Sequence, residues 1–160
     1  MTLGIIADTH GQLDTQVHTL FDHVDEIIHA GDIGGDEIII ELQTIAPVTA
    51  VRGNMDRVGK TATYHEFLTR TFGGIRFFIV HDLGFPQTIK AHLQRVIRSY
   101  APHVVIFGHT HIPSMTSLQE TLYFNPGSAH HGRRGHPRSL GLIDITDSHV
   151  EGRLLSLASP

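Results

Sequence analysis

Short apolar runs alternate with amphipathic segments along the first third of the chain. Leu3-Gly4-Ile5-Ile6-Ala7 reads as a buried strand, and Leu13, Val17, Leu20, Phe21 and Val24 recur at the spacing of one helix face. Ile27-Ile28 begins a second strand. After Gly34-Gly35 a second helix carries Ile38, Ile39, Leu42 and Ile45, with Asp36 placed to cap its start, and Val48 to Arg52 supplies a third strand. This βαβαβ order predicts a largely parallel sheet with crossover helices.

From Tyr64 the rhythm changes. Glu66 to Phe72 and Ile75 to Val80 flank Gly73-Gly74, a two-residue hairpin turn, so an antiparallel pair joins the architecture. A third helix is expected after Pro86, with Ile89, Leu93, Val96, Ile97 and Tyr100 on one face and Pro102 beyond its end. Val104 to Phe107 is another buried strand. The last quarter reads as all-β: Leu122 to Phe124, Leu140 to Ile145 and Val150 to Leu155, with a turn at Asp147-Ser148.

The length, 160 residues, predicts one domain over residues 1–160. The net charge of −4 argues against a surface that tracks nucleic-acid phosphates, so nucleic acid is not the expected partner. Cysteine is absent, which removes disulfides, iron–sulfur clusters, thiolate zinc and a cysteine nucleophile together. The longest hydrophobic runs, Phe77 to Val80 and Val104 to Phe107, are four residues, so no membrane partner is expected. Met1 to Ile5 lacks the basic start and apolar stretch of a signal peptide, and a cytoplasmic address is the expectation. Histidine alone is out of proportion, at 14 against 12 Lys plus Arg, and its excess admits metal chemistry, a solvated surface or pH sensing.

Position narrows that choice. Asp8, Asp32, Asn54, His81 and His109 each follow an apolar run, at the carboxyl end of a predicted strand, where loops of an α/β sheet converge on ligands. Two carry a second donor two residues on, Asp8-Thr9-His10 and His109-Thr110-His111, a spacing that points both side chains of an extended segment the same way. Glycine precedes three of them, Gly31-Asp32, Gly53-Asn54 and Gly108-His109, where the backbone can approach closely. One ion rarely uses so many mixed oxygen and nitrogen donors, whereas two transition metals sharing a carboxylate would use them all. Manganese, iron, zinc and nickel suit such donors.

These residues resemble the calcineurin-like metallophosphoesterase superfamily, in its small single-domain branch of YfcE-like phosphodiesterases. The resemblance rests on Asp8-Thr9-His10, Gly31-Asp32, Gly53-Asn54-Met55-Asp56, Val80-His81 and Gly108-His109-Thr110-His111, followed by Asn125-Pro126-Gly127-Ser128. It implies a four-layer α/β/β/α sandwich of two mixed sheets. It further implies two divalent ions, manganese ahead of iron, zinc or nickel. Asp8, His10 and His111 would hold one, Asn54, His81 and His109 the other, with Asp32 bridging. The implied reaction is hydrolysis of a phosphodiester or activated phosphate ester by a hydroxide between the ions. Asp32, Asn54 and His109 would then act in catalysis, on a small phosphate ester as substrate.

Two positions depart from the family. Met55 stands where many members have a proton-donating His, and a thioether transfers no proton. Asp82 stands where Gly is common, and could orient a ligand or repel substrate. Arg52, Arg57, Arg133 and Arg134, with Asn54, are candidates for the non-reacting phosphate oxygens. Asp56 is a candidate acceptor for a ligand His, and Asn125 to Ser128 is expected to shape a turn without binding anything. His29 reads as a core side chain, and His130, His131 and His136 as possible sources of the missing proton. A non-catalytic scaffold of the retromer-subunit type, a phosphomonoesterase and a nuclease are the alternatives. With no length for a capping domain, the site is expected to be open unless a homo-oligomer walls it.

Overall fold

The structure is a computed structural model describing residues 1–147 and 149–158. Two five-stranded sheets lie face to face. The first contains β1 (Thr2–Ile6), β2 (Glu26–His29), β3 (Val48–Ala50), β11 (Ser139–Thr146) and β12 (His149–Ser156), in the order β12-β11-β1-β2-β3. The second contains β4 (Phe67–Phe72), β5 (Ile75–Val80), β8 (Val104–Ile106), β9 (Ser114–Leu118) and β10 (Thr121–Asn125), in the order β4-β5-β8-β10-β9. Each sheet is mixed: β1, β2 and β3 run parallel, as do β5, β8 and β10, while β11 joins β1, β12 joins β11, β4 joins β5 and β9 joins β10 in antiparallel pairs.

The strand alternation explains the layering. Leu3 and Ile5 of β1 and Phe77 and Ile79 of β5 point inward, meeting Val104, Ile106, Phe124 and Ile143 between the sheets. Ile6 and Ile27 point outward, beneath α1 (Gln16–Leu20) and α2 (Asp36–Leu42), which contribute Val17, Ile38, Ile39 and Leu42. Phe78, Val80 and Val105 face outward from the second sheet, beneath Leu93 and Ile97 of α3 (Ala91–Tyr100). The central strands are therefore apolar on both faces, and each fully buried Leu, Ile or Phe contributes about 1.5–3 kcal/mol. The α/β/β/α sandwich expected from the resemblance is the fold observed.

Several local expectations are corrected. The first helix is short, because the Asp14 carboxylate accepts the Gln16 N–H at 2.9 Å and ends the preceding loop there. Leu13 and Val24 pack on the same core from outside the helix. Asp36 does not cap α2, whose N-cap is Gly35; its carboxylate accepts the N–H groups of Lys60 and Thr61, both at 3.1 Å, opening a 3₁₀ turn at Thr61–Thr63. The third helix starts at Ala91 because Pro86-Gln87 instead turns a small hairpin, β6 (Gly84–Phe85) with β7 (Thr88–Ile89). Strand β9 has no counterpart in the pattern: Ser114, Thr116 and Ser117 leave it too polar to read as a strand, and it forms an edge of the second sheet. The Gly73-Gly74 hairpin is as expected, with φ of 53° and 82°. Ser148, half of the expected Asp147-Ser148 turn, lies outside the described residues.

Candidate metal centre

Parallel strands bring their carboxyl ends to one edge, and stacking the two sheets brings two such edges together. The loops after β1, β2, β3, β5 and β8 carry Asp8 and His10, Asp32, Asn54, His81, and His109 and His111 to that edge. The loops do not leave as extended chain. Asp8, His10, Asp32, His109 and His111 all have left-handed backbones, with φ of 54°, 47°, 52°, 69° and 60°. Such a conformation costs an ordinary L-residue about 1–2 kcal/mol, and its concentration here marks a site held against local preference. The i, i+2 reasoning from an extended segment is thereby corrected. Asp8 and His10 do converge, but through paired left-handed residues; His111 joins their cluster, whereas His109 meets Asn54.

Each aspartate is held by one oxygen and offers the other. Asp8 Oδ2 accepts the His109 N–H at 3.1 Å, and Asp32 Oδ1 accepts the Met55 N–H at 2.8 Å. Asp8 Oδ1 then lies 3.1 Å from His111 Nε2, 3.8 Å from His10 Nε2 and 3.9 Å from His81 Nε2. Asp32 Oδ2 lies 3.3 Å from His81 Nε2 and 3.9 Å from His10 Nε2. Two donor clusters result, Asp8-His10-His111 and Asp8-Asp32-His81, each with its atoms within 4.8 Å of one another. The shared carboxylate in this geometry is Asp8, with Asp32 standing between His10 and His81. Asn54 and His109 form the outer part: Asn54 Oδ1 is 3.0 Å from His109 Nδ1.

The imidazoles are aimed from behind. His81 Nδ1 donates to the Ala30 carbonyl at 2.8 Å and His111 Nδ1 to the His131 carbonyl at 3.1 Å, so each presents an Nε2 lone pair to the cluster. Close backbone approach is required as well. A Cβ on Gly53 would stand 2.0 Å from Asp32 Oδ1, and one on Gly31, whose φ is +88°, would stand 2.7 Å from His81 Cβ.

The residues fit a divalent cation. Among the described residues, Asp8 Oδ1 and His81 Nε2 are buried side-chain polar atoms without any hydrogen-bond partner, an arrangement that costs free energy unless a ligand satisfies them. Donors of a tetrahedral shell with bonds of about 2.0–2.1 Å lie roughly 3.3–3.4 Å apart, and the 3.1–3.9 Å separations above bracket that spacing. The charges agree. Burial works to lower the His81 pKa, yet the neighbouring carboxylates of Asp32 and Asp8 outweigh it and raise it. Burial works to raise Asp32, yet His81, the Met55 N–H and His10 hold it below the usual carboxylate range. Both shifts register two buried carboxylates in want of positive charge.

A supporting layer lies behind the donors. Asp56 accepts no histidine; its carboxylate takes the backbone N–H groups of Ile33, Gly34 and Gly53 at 3.2, 2.9 and 2.8 Å, tying the loop after β2 to the loop after β3. His29 is a fully buried core side chain, as its place in β2 predicts. Its Nδ1 accepts the Gly31 N–H at 3.2 Å, its Nε2 meets Thr9 Oγ1 at 2.9 Å, and Thr9 donates to the Ile33 carbonyl at 2.8 Å. Burial drives the His29 pKa down to about 4 against the charges of Asp56 and Asp8. Asn125 and Ser128 are also fully buried: Asn125 Nδ2 donates to the Gly108 carbonyl at 3.0 Å, and Ser128 Oγ donates to the Asp8 carbonyl at 3.0 Å. The Asp-x-His, Gly-Asn-x-Asp and Asn-Pro-Gly-Ser motifs contained these braces, but only the folded loops reveal what Thr9, Asp56 and Ser128 hold.

A cavity of about 410 Å³ covers the donors, lined by His10, Asp32, Asn54, Met55, His109 and His111 together with His130, His131 and Arg133. Its rim at Asn54, Met55, His109, His131 and Arg133 is exposed. Arg52 lines an adjoining space of about 300 Å³ that also touches Asn54, His81, Asp82 and Lys90. Arg57 Nε donates to the Asn54 carbonyl at 3.1 Å. Arg134 and His136 line neither space.

Residues 1–148 match the model of the calcineurin-like phosphoesterase superfamily domain. The chain belongs to that superfamily. A probable metallophosphoesterase of Methanothermobacter thermautotrophicus is 30% identical over 165 residues, spanning 100% of this chain and 95% of the relative. Among solved structures, an archaeal phosphodiesterase is 26% identical with a TM-score of 0.74, covering 97% of this chain and 100% of its own. A Vps29 of Entamoeba histolytica complexed with zinc is 18% identical with a TM-score of 0.74, covering 97% and 98%, a likeness of fold alone. Among the described residues, no helix is long and apolar enough to cross a membrane.

Proposed function

We propose that this chain is a binuclear metal-dependent phosphodiesterase that hydrolyses phosphodiester or activated phosphate ester bonds of small substrates. The observation that carries the reading is the pair of buried, partnerless donor atoms, Asp8 Oδ1 and His81 Nε2, at the centre of converging carboxylates and imidazoles. In this reading Asp8, His10 and His111 would hold one ion and Asn54, His81 and His109 the other, with Asp32 as the proposed bridge and Asp8, common to both donor clusters, beside it. Two divalent ions held there would supply polarisation of the phosphoryl oxygens and a water acidified towards neutrality.

The chain's own residues set the remaining terms. Asn54 contributes a neutral amide at the exposed side of the centre, which limits the negative charge an anionic substrate meets. Arg133 in the cavity wall and Arg52 in the adjoining space offer planar, two-pronged donors for oxygens that do not react. Met55, 54% exposed, gives the departing group an apolar neighbour and no proton. Small diesters with good leaving groups are the fitting substrates.

The test is dialysis against chelator, elemental analysis after reloading, and hydrolysis of an aryl phosphodiester during titration with Mn²⁺. Two ions per chain and restored hydrolysis are expected. Absence of hydrolysis at saturating metal would refute the enzymatic reading and leave a protein-binding scaffold in its place.

A further inference from the structure

His81, His111 and His109 each have a polar neighbour on the outer ring nitrogen. For His81 and His111 that neighbour is a backbone carbonyl, which accepts and never donates, so the hydrogen sits on Nδ1 and the Nε2 lone pair faces the cluster. His109 is turned the other way. Its Nδ1 faces Asn54 Oδ1 at 3.0 Å, and its Nε2 points out of the centre to Asp82 Oδ2 at 3.6 Å. That separation is an ion-pair distance just beyond hydrogen-bond reach.

Asp82 is fixed where it stands. Its Oδ1 accepts the Gly84 N–H at 3.2 Å, and its Oδ2 is gripped by the Lys90 ammonium. Lys90 immediately precedes α3, and Gly84 opens the β6-β7 hairpin, so the element that displaces the start of the third helix is what places this carboxylate. We infer that Asp82, anchored by Lys90 and Gly84, is a positioning residue that takes over for His109 the task of the carbonyls behind His81 and His111. The inference rests on the proposed metal centre and adds to it a carboxylate that donates no ligand atom.

The chemistry follows from what each neighbour can offer. The Asn54 amide can present either its oxygen or its NH₂ to Nδ1, and therefore dictates no tautomer. A carboxylate accepts only. Asp82 accordingly draws the hydrogen of the neutral ring onto Nε2 and leaves the Nδ1 lone pair on the inner side, beside Asn54. Its negative charge also strengthens Nδ1 as a donor, as a carboxylate behind a ligand imidazole does. Lys90 offsets the charge towards solvent, so the site gains orientation without a net anion beside its substrate.

The test compares Asp82→Asn and Asp82→Ala with the parent protein. Mn²⁺ affinities of the two sites are read by calorimetry, and the His109 ring tautomer by ¹H–¹⁵N correlation spectra of the chelated protein. Asp82→Asn retains an acceptor for the Gly84 N–H while losing the charge. It is expected to weaken the second ion about tenfold and leave the first unchanged, with Asp82→Ala weaker still. In both variants the Nε2–H fraction of neutral His109 is expected to fall. Unchanged affinities and tautomer in Asp82→Asn would overturn the assignment, as would equal weakening of both ions, which signals general damage. A single ion in the parent protein would refute the binuclear reading instead, and the tautomer shift in chelated protein would still decide the role of Asp82.

Discussion

His29 couples the stability of the metal loops to pH with a sign and size that the structure dictates. The ring is fully buried, and burial lowers its pKa from 6.5 to about 4. Protonation would place a hydrogen on Nδ1 where the Gly31 N–H already points, and so break that hydrogen bond at the mouth of the metal loop, while Nε2 goes on donating to Thr9. A histidine with a depressed native pKa contributes stability that is complete above its unfolded value and is lost as pH falls through the native one. Between an unfolded pKa of 6.5 and a native value of about 4, the loss is about 1 kcal/mol at pH 6, about 2 at pH 5 and about 3 at pH 4. For a chain of this size each kcal/mol moves the melting temperature by about 2–4 °C. The assay is urea unfolding of the parent and His29→Gln in chelator, so that release of metal does not enter the titration. The difference in unfolding free energy between the two should shrink by about 3 kcal/mol from pH 7.5 to pH 4. A difference that stays constant across that range would refute a neutral, buried His29.

Asp56→Ala strips acceptors from three backbone N–H groups and is expected to cost about 3–5 kcal/mol in urea unfolding; a loss below about 1 kcal/mol would show that water replaces the carboxylate. Gly53→Ala pushes a methyl to 2.0 Å from Asp32 Oδ1, and turnover should fall about 100-fold while circular dichroism is unchanged. Near-parental turnover would mean that Asp32 can shift freely. With Met55 in place of an acid, hydrolysis rates of aryl phosphodiesters should drop steeply as the leaving group becomes more basic. A shallow dependence, with chemistry still limiting, would point to a donor among His130 and His131.

Much of the architecture was legible because its signal is local. The central strands are short apolar runs since both their faces are covered, and the glycine pair at Gly73-Gly74 demands left-handed φ at both positions. The elements misjudged are those whose stability is borrowed from partners distant in sequence. Asp36 looks like a helix cap until the Lys60 and Thr61 N–H groups arrive, and Ile89 fits a helix face until Gly84 pairs with it. Strand β9 pairs with β10 through register alone, carrying too little apolar alternation to announce itself. In the site, the donor residues were visible as polar interruptions after apolar runs. The reason adjacent donors converge was not: it lies in left-handed backbones at Asp8 and His10, which the alternation of apolar and polar positions does not encode.

By itself the chain's sequence determined the layers, the edge at which polar residues gather and the inventory of donors, because periodicity and strand ends are properties of neighbouring residues. Only the tertiary structure decided which oxygen of each aspartate is spent on a backbone N–H and which is left aimed inward, and which histidines have a carbonyl or a carboxylate behind them. Those choices depend on contacts between loops that are 20 to 120 residues apart, and distance in sequence carries no record of them.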